Sequence, residues 1–289
     1  MIPPLVSSVS EIRQRLDQVR HAGKSIGLVP TMGALHAGHS AIIERARSEC
    51  DFVVVSIFVN PLQFGPSEDY QRYPRPLEKD LTLCAEKGTD LVFAPETADM
   101  YALPQLAFAE VTRLGNHLCG AFRPGHFRGV ATVVLKLFNI VQPNAAYFGE
   151  KDYQQLCIIR RMVCDFNLDL KIVTVATVRE PDGLALSSRN IYLEPSQRAA
   201  APLLFRALTA AREMIEAGET DSGKVKAAAT QLLAAESQIR IEYFEIVDSA
   251  EVQPVAMISG PLRIAAAIWI GKTRLIDNVA ATGVAHHET

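Results

Sequence analysis

Gly33, His36, Gly38 and His39 stand close together in the stretch PTMGALHAGHS, and residues of these types could handle a phosphate group. Glycines let a backbone come close to an anion, and two histidines three positions apart can face one ligand. The segment GALHAGHS (33–40) runs close to the pattern G-x-x-x-x-G-K-[ST], but His39 occupies the lysine position. A lysine there gives a fixed charge to the β and γ phosphates. Histidines at the start of a helix are biased toward the neutral form, because the positive end of the helix dipole disfavours imidazolium. A neutral imidazole donates one directed hydrogen bond, which suits an α-phosphate passing through a crowded five-coordinate state. Two other uses fit the same residues: a pair of surface histidines in a glycine-rich turn, and a metal pair. The metal pair lacks a third His or Cys ligand nearby in sequence. GKT at 271–273 does not complete a phosphate loop either, since position 266 is alanine and the tripeptide lies in a strand-like run.

The elements around these residues give them a place. SIGLV (25–29) is a short apolar strand that leads into the turn, and residues 39–50 read as a helix with Ile42, Ile43 and Ala46 on one face. Before them, Ser8 and Glu11 form a capping-box pattern, with Val9, Ile12, Leu16 and Val19 at helical spacing and Gly23 as a stop. DFVVVSIFV (51–59) is a continuous apolar run, the pattern of a parallel strand buried on both faces. The alternation continues with helices at 77–87, 126–141 and 152–166 and strands at 89–95, 145–148 and 170–178. Strands alternating with helices imply an α/β fold with a doubly wound parallel sheet. After Val178 the texture changes. PDGLALSSRN is a turn-rich linker, alanine-rich helices follow near 195–217 and 222–236, and 239–248 and 262–278 read as strands. These features predict a domain over 1–178 and a smaller α+β domain over 179–289. Ligands of open α/β sheets bind beyond the carboxyl ends of the strands, where both the glycine–histidine turn and GEKD (149–152) fall.

Composition narrows the choice. With 48% hydrophobic and 21% charged residues, the 289-residue chain has the profile of a soluble globular protein with a substantial core. Its 29 basic and 32 acidic residues leave no electrostatic footprint for nucleic acid or an anionic membrane, so an anion site must be built locally. The five cysteines show no C-x-x-C spacing and read as reduced structural thiols of a cytoplasmic protein. MIPPLVSSVSEIRQRL lacks the basic start and apolar stretch of a signal peptide, and the apolar run at 264–270 is too short to span a bilayer.

PTMGALHAGH also resembles the HIGH-type signature of adenylyl- and cytidylyltransferases. Together with VNPLQF (59–64), FRPGHFRGVATVV (122–134), YFGEKDYQQL (147–156), TVREPDGLALSSRN (177–190) and RLIDN (274–278), it closely resembles the pantothenate synthetase family of pantoate–β-alanine ligases. The resemblance covers essentially the whole chain in the family's order. It implies a Rossmann-like nucleotidyltransferase domain and an ATP-dependent condensation of (R)-pantoate with β-alanine through a pantoyl adenylate, releasing AMP and pyrophosphate. It further implies Mg²⁺ bound with ATP, and a homodimer.

Residue by residue, the resemblance makes His36 and His39 the pair that stabilises the adenylation transition state. Met32, Gly33, Ala34, Leu35, Ala37 and Gly38 complete the ATP-binding turn. Gln63 and Gln155 match the glutamines that hold pantoate, and their amides donate and accept while staying uncharged beside a reacting carboxylate. Asn60 matches the same pocket, and Gln63 also the β-alanine site. Gly149, Glu150, Lys151 and Asp152 match a nucleotide loop in which Lys151 neutralises phosphate and Asp152 accepts from the ribose. Val178 matches a backbone contact to adenine. Leu186, Ser187, Ser188 and Arg189 match a mobile KMSKS-like loop that clamps the leaving pyrophosphate, with leucine where the family carries methionine. Arg123, His126 and Arg128 form a basic cluster that either meets pantoate or β-alanine or braces a loop. Two other functions compete: a transferase making a CDP-linked product, and a non-catalytic nucleotide- or RNA-binding module. The two glutamine positions and the GEKDYQQ and SSRN segments oppose the first, and the charge balance with His36, His39, Lys151 and Arg189 opposes the second.

Overall fold

Val53, Val54 and Val55 are fully buried in the strand Phe52–Ile57, as a segment covered on both faces must be. That strand is β3 of a six-stranded parallel sheet. Its companions are β1 (Leu5–Val6), β2 (Ile26–Thr31), β4 (Leu91–Phe93), β5 (Ala145–Gly149) and β6 (Lys171–Val175), in the order β1-β4-β3-β2-β5-β6. β2 pairs with β3 from Ile26↔Phe52 to Thr31↔Ile57, and on its other edge with β5 through Gly27↔Ala145. The strand order therefore reverses between β2 and β5. A crevice opens at such a switch point. The computed structural model describes residues 1–66, 68–101 and 103–283.

The helices follow the apolar spacing. α1 (Val9–His21) is capped by Ser8, whose Oγ accepts from the Glu11 amide at 3.2 Å, and buries Ile12 and Leu16. α2 (Ala37–Glu49) sets Ile43 and Ala46 against Val29, Val53 and Tyr147, and α3 (Leu77–Glu86) buries Cys84 in the same cluster. The helix His126–Val141 has the bounds its sequence pattern predicts. β1, at two residues, is too short to leave a pattern in the sequence.

Two units divide the chain. The first holds Met1–Thr112, Arg123–Glu150 and Ile158–Ala176; the second holds Arg113–Phe122, Lys151–Cys157 and the chain from Thr177 onward. A single break near 178 does not describe this division, because 113–122 and 151–157 belong with the later residues. The second unit contains an antiparallel meander of β7 (Ile239–Asp248), β8 (Gly260–Ile270) and β9 (Thr273–Gly283). The helices Leu203–Glu216 and Ser222–Ala234 share a core with it, including Leu208, Ile215, Leu233, Ile246 and Ile264.

Two expectations change here. The run 262–278 is not one strand but parts of β8 and β9, joined at Gly271 and Lys272; Gly271 has φ +58°, a conformation that favours glycine. The expected helix at 195–217 is two helices, Pro195–Ala200 and Leu203–Glu216, because Pro202 has no N–H with which to continue the first. Among the described residues no helix is long and apolar enough to cross a membrane.

Candidate active site

β2 delivers the glycine–histidine turn to the switch point, and three sets of contacts shape it. Thr31 Oγ1 accepts from the Gly33 amide at 3.1 Å and donates to the Ser56 carbonyl at 2.7 Å. Gly33 (φ +80°) and Ala34 (φ +51°) are then both left-handed. The amides that follow this bend donate to one carboxylate: Ala34 N to Asp80 Oδ2 at 2.9 Å and Leu35 N to Asp80 Oδ1 at 2.8 Å. A Cβ on Gly33 would lie 2.9 Å from Asp80 Oδ2 and 3.0 Å from Ile57, so a side chain there would push on the carboxylate that holds the turn.

Asp80, in the first turn of α3, is only 2% exposed. Burial raises its pKa, and the Leu35 and Ala34 amides only partly oppose that rise. In sequence it reads as a solvated charge on an amphipathic helix, and no local signal marks it. Because its pKa is higher folded than unfolded, its contribution favours folding below the ordinary aspartate value and is lost as pH rises through its raised value. Asp80→Asn removes that dependence. In urea melts at stepped pH, wild-type stability should therefore fall relative to the variant as pH rises through that window. Turnover should fall about 10-fold, since one amide oxygen replaces two acceptors for two amides. Unchanged turnover would deny Asp80 its role in shaping the turn.

His36 is the N-cap of α2. Its Nδ1 accepts from the Gly38 amide at 3.1 Å, and its own amide donates to His39 Nδ1 at 3.3 Å. This is a capping box made of imidazoles. Each Nδ1 accepts, so the neutral ring carries its proton on Nε2. The two ring centroids are 4.2 Å apart. The helix start thus presents two Nε2–H donors beside one another, set by backbone contacts.

β3 leads to Asn60 and the single 3₁₀ turn Pro61–Gln63. Asn60 is buried, and its Nδ2 donates to Gln63 Oε1 and to the Gly129 carbonyl, each at 3.1 Å. Its Oδ1 accepts from the Tyr101 hydroxyl at 2.9 Å and the Leu62 amide at 3.2 Å. These contacts fix Asn60 in place, and through it the Gln63 amide oxygen. Burial pushes the Tyr101 phenol well up, so it stays a donor. Gln63 Nε2 reaches Met32 Sδ at 3.1 Å, which joins this turn to the histidine turn.

The basic cluster supports the same loop. The Gln63 carbonyl accepts from Arg123 NH2 at 3.3 Å and from His126 Nδ1 at 2.8 Å, while Arg123 NH1 donates to His126 Nε2 at 3.0 Å. Arg123 also grips Glu68, with Nε 2.8 Å from Oε1 and NH2 on Oε2. Burial pushes the Glu68 carboxyl up, but its hydrogen bonds and ion pair with Arg123 outweigh it and hold it below the usual range. Of the two roles open to Arg123 and His126, loop bracing is the one seen here. Arg128 stacks over the Phe108 ring at 4.7 Å. Gly129 lets the helix His126–Val141 meet the Gln63 turn backbone to backbone: a Cβ there would be 2.1 Å from the Leu62 carbonyl oxygen.

Gly149 closes β5 at the sheet end where the histidine turn leaves β2, and Glu150 follows it. In the second unit, Lys151 is half-buried and Asp152 exposed in the turn Glu150–Asp152, and the Lys151 carbonyl accepts from Asn278 Nδ2 at 2.8 Å. On the following helix, Tyr153–Asp165, Gln154 is the buried glutamine. Its Nε2 donates to the Leu114 and His117 carbonyls at 2.8 and 2.7 Å, and its Oε1 accepts from Cys119 N at 3.1 Å. Gln155 beside it is only half-buried. The expected linker is a small hairpin: Leu186 N donates to Val178 O at 3.0 Å and Glu180 N to Leu184 O at 2.8 Å. Ser187 then caps the 3₁₀ segment Ser188–Tyr192, its Oγ accepting from Arg189 N at 3.3 Å.

The first unit thus gathers Met32, His36, His39 and Gln63, while Lys151, Asp152, Gln155, Val178 and Leu186–Arg189 sit on separate segments of the second. Among the described residues no group of three or more His, Cys, Asp or Glu could hold a metal ion. The described cysteines are all free, and burial pushes the Cys84 thiol up to about 11.

Comparison with known proteins gives a consistent result. Residues 4–280 match the family model described as Pantoate-beta-alanine ligase. The pantothenate synthetase of Pelotomaculum thermopropionicum is 52% identical over 272 residues, covering 94% of this chain and 96% of that one. The pantothenate synthetase of Heliobacterium modesticaldum is 52% identical over 275 residues, 95% and 98% of the two chains. Among solved structures, pantothenate synthetase from Thermus thermophilus superposes with a TM-score of 0.91 at 49% identity, covering 96% of this chain and 98% of its own. Pantoate-beta-alanine ligase from Francisella tularensis, in complex with beta-gamma ATP and beta-alanine, gives 0.79 at 36% identity over 96% and 97%.

Proposed function

The chain belongs to the pantoate–β-alanine ligase family, and from that premise we propose how its own residues carry the reaction. The activity is the condensation of pantoate with β-alanine using ATP. Pantoate's carboxylate attacks the α-phosphate, forming pantoyl adenylate and releasing pyrophosphate. The amine of β-alanine then attacks the acyl carbon, which expels AMP and leaves the amide. Converting a carboxylate oxygen into part of a phosphate leaving group is what makes the second step feasible.

The observation that carries this reading is the pair of Nε2–H donors on His36 and His39 at the N-terminus of α2. They suit charge developing on α-phosphate oxygens, and backbone amides have already oriented them. Gln63, uncharged and held by Asn60, lies on the loop joined to this turn and holds pantoate, with Gln155 as the second amide. Lys151 meets the phosphates, and Ser187, Ser188 and Arg189 clamp the departing pyrophosphate. Asp152 accepts from the ribose, and the backbone near Val178 and Leu186 meets the base. The Francisella relative, solved with an ATP ligand and β-alanine, supports a site for both substrates in one fold.

Magnesium would enter with ATP, as the family resemblance implies for an ion that keeps much of its water. Its chemistry there is to neutralise charge on the triphosphate. The resemblance also supports a cytoplasmic homodimer.

Isotope exchange between pyrophosphate and ATP tests the order of steps. Enzyme, Mg·ATP and pantoate should support exchange without β-alanine, and omitting pantoate should abolish it. Exchange that strictly requires β-alanine would overturn the adenylate-first order.

A further inference from the structure

RLIDN (274–278) is part of the family resemblance, yet none of the roles above uses it. In the structure its last residue is tied at every polar group. Asn278 sits on β9, an edge strand of the meander, and is 5% exposed. Its amide donates to Asp277 Oδ1 at 2.7 Å, and its carbonyl accepts from Arg179 NH2 at 3.4 Å. Arg179 in turn grips Asp277 with both nitrogens, NH1 to Oδ2 at 2.5 Å and NH2 to Oδ1 at 3.0 Å. Both backbone groups of Asn278 are thereby fixed by one bidentate ion pair, in which Asp277 is the buried partner.

The side chain is fixed just as firmly. Arg263 NH1 donates to Asn278 Oδ1 at 3.1 Å, and the Arg263 guanidinium lies 3.8 Å from the centroid of Tyr153. With Oδ1 held, the orientation of the amide is set, and Nδ2 donates to the Lys151 carbonyl at 2.8 Å. Tyr153 opens the helix that follows the Lys151 turn, so Arg263 and Asn278 hold that turn from its carbonyl and from the next element. Burial raises the Asp277 pKa against the pull of Arg179, and the Lys151 charge is near enough to add to that pull.

We propose that Asn278 is a positioning residue for Lys151 and acts through it on adenylate formation. The proposal rests on the reading of Lys151 as the cation that meets the phosphates. A lysine is a point charge on a flexible stem. Where its Cα is anchored decides how much of its reach is usable, and misplacements of about 1 Å can cost as much as 10²-fold in rate.

A double-mutant cycle in the full-length enzyme tests this. Asn278→Asp keeps an acceptor for Arg263 but turns a second oxygen toward the Lys151 carbonyl. It should lower pyrophosphate–ATP exchange about 10-fold and leave aminolysis of supplied pantoyl adenylate near the wild-type rate. Lys151→Ala should lower exchange on its own, and adding Asn278→Asp to it should cost nothing further. Additive losses, equal losses in both half-reactions, or wild-type exchange in Asn278→Asp would overturn the role of Asn278. Wild-type exchange in Lys151→Ala would instead overturn the reading of Lys151. If Asn278→Asp does not fold, Asn278→Ala makes the same comparison without burying a charge. Failure of both to fold would show that Asn278 holds up the unit rather than the turn, and would also overturn the proposal.

Discussion

Replacing His39 with alanine is expected to slow pyrophosphate–ATP exchange by roughly 10²–10³-fold, the scale of losing one transition-state donor. The same change removes the acceptor of the His36 amide. A lost cap interaction costs about 1 kcal/mol, which corresponds to a drop of about 2–4 °C in melting temperature. A fall in rate far beyond the fall in stability therefore separates chemistry from capping. His39→Asn sharpens the distinction. An asparagine can still accept from the His36 amide, but it ends short of Nε2. It should restore the melting temperature and leave exchange as slow as in His39→Ala. Recovery of exchange in His39→Asn would mean that the histidine serves only as a cap.

Gly129→Ala is expected to be the most damaging single-methyl change in the molecule. Glycine inside a helix costs about 1 kcal/mol relative to alanine, so propensity alone predicts a gain. The added Cβ would meet the Leu62 carbonyl oxygen at 2.1 Å, its carbon at 2.4 Å and the Gln63 amide at 2.7 Å. These are backbone atoms that cannot rotate away. Overpacking of a tight contact costs typically about 1–3 kcal/mol, occasionally more, and here the whole turn must move. That turn carries Gln63, and its Asn60 tether ends on the Gly129 carbonyl. We expect a loss of at least about 2 kcal/mol by urea melting and at least a roughly 10²-fold loss in kcat/KM for pantoate. Wild-type values of both would show that the helix and turn can separate at no cost.

The parallel sheet was legible because its signals are local. Apolar runs such as 52–57 identify buried strands, and the spacing of Ile12 and Leu16 identifies a helix face. The histidine turn was legible for the same reason, since its glycines and histidines all fall within residues 33–39. Asp80 was not. Its partners at Ala34 and Leu35 lie 46 and 45 residues away, and nothing in the helix pattern around it distinguishes a buried tether from a solvated charge. Gln154 and Gln155 pose a similar difficulty: successive helical residues point about 100° apart, and only packing reveals which amide turns inward. Pro202 was the reverse case. Its effect on the 195–217 helix is local chemistry, and alanine-rich periodicity on either side obscured it.

The placement of the switch point has a kinetic consequence. β8 and β9 close across two residues, Gly271 and Lys272, whereas the parallel sheet that carries the histidine turn is complete only when β2 meets β5, a pairing reinforced by Asn144 Oδ1 accepting from the Ile26 amide 118 residues away. Closing a long loop costs more entropy than closing a short one, and parallel pairing of distant strands is intrinsically slow. Trp269 is the chain's one tryptophan, lies in β8, and donates its indole N–H to Glu242 Oε1 at 2.8 Å. During refolding its fluorescence therefore follows the meander, while recovery of turnover follows the parallel sheet. The optical signal should be complete while most of the population still cannot make product.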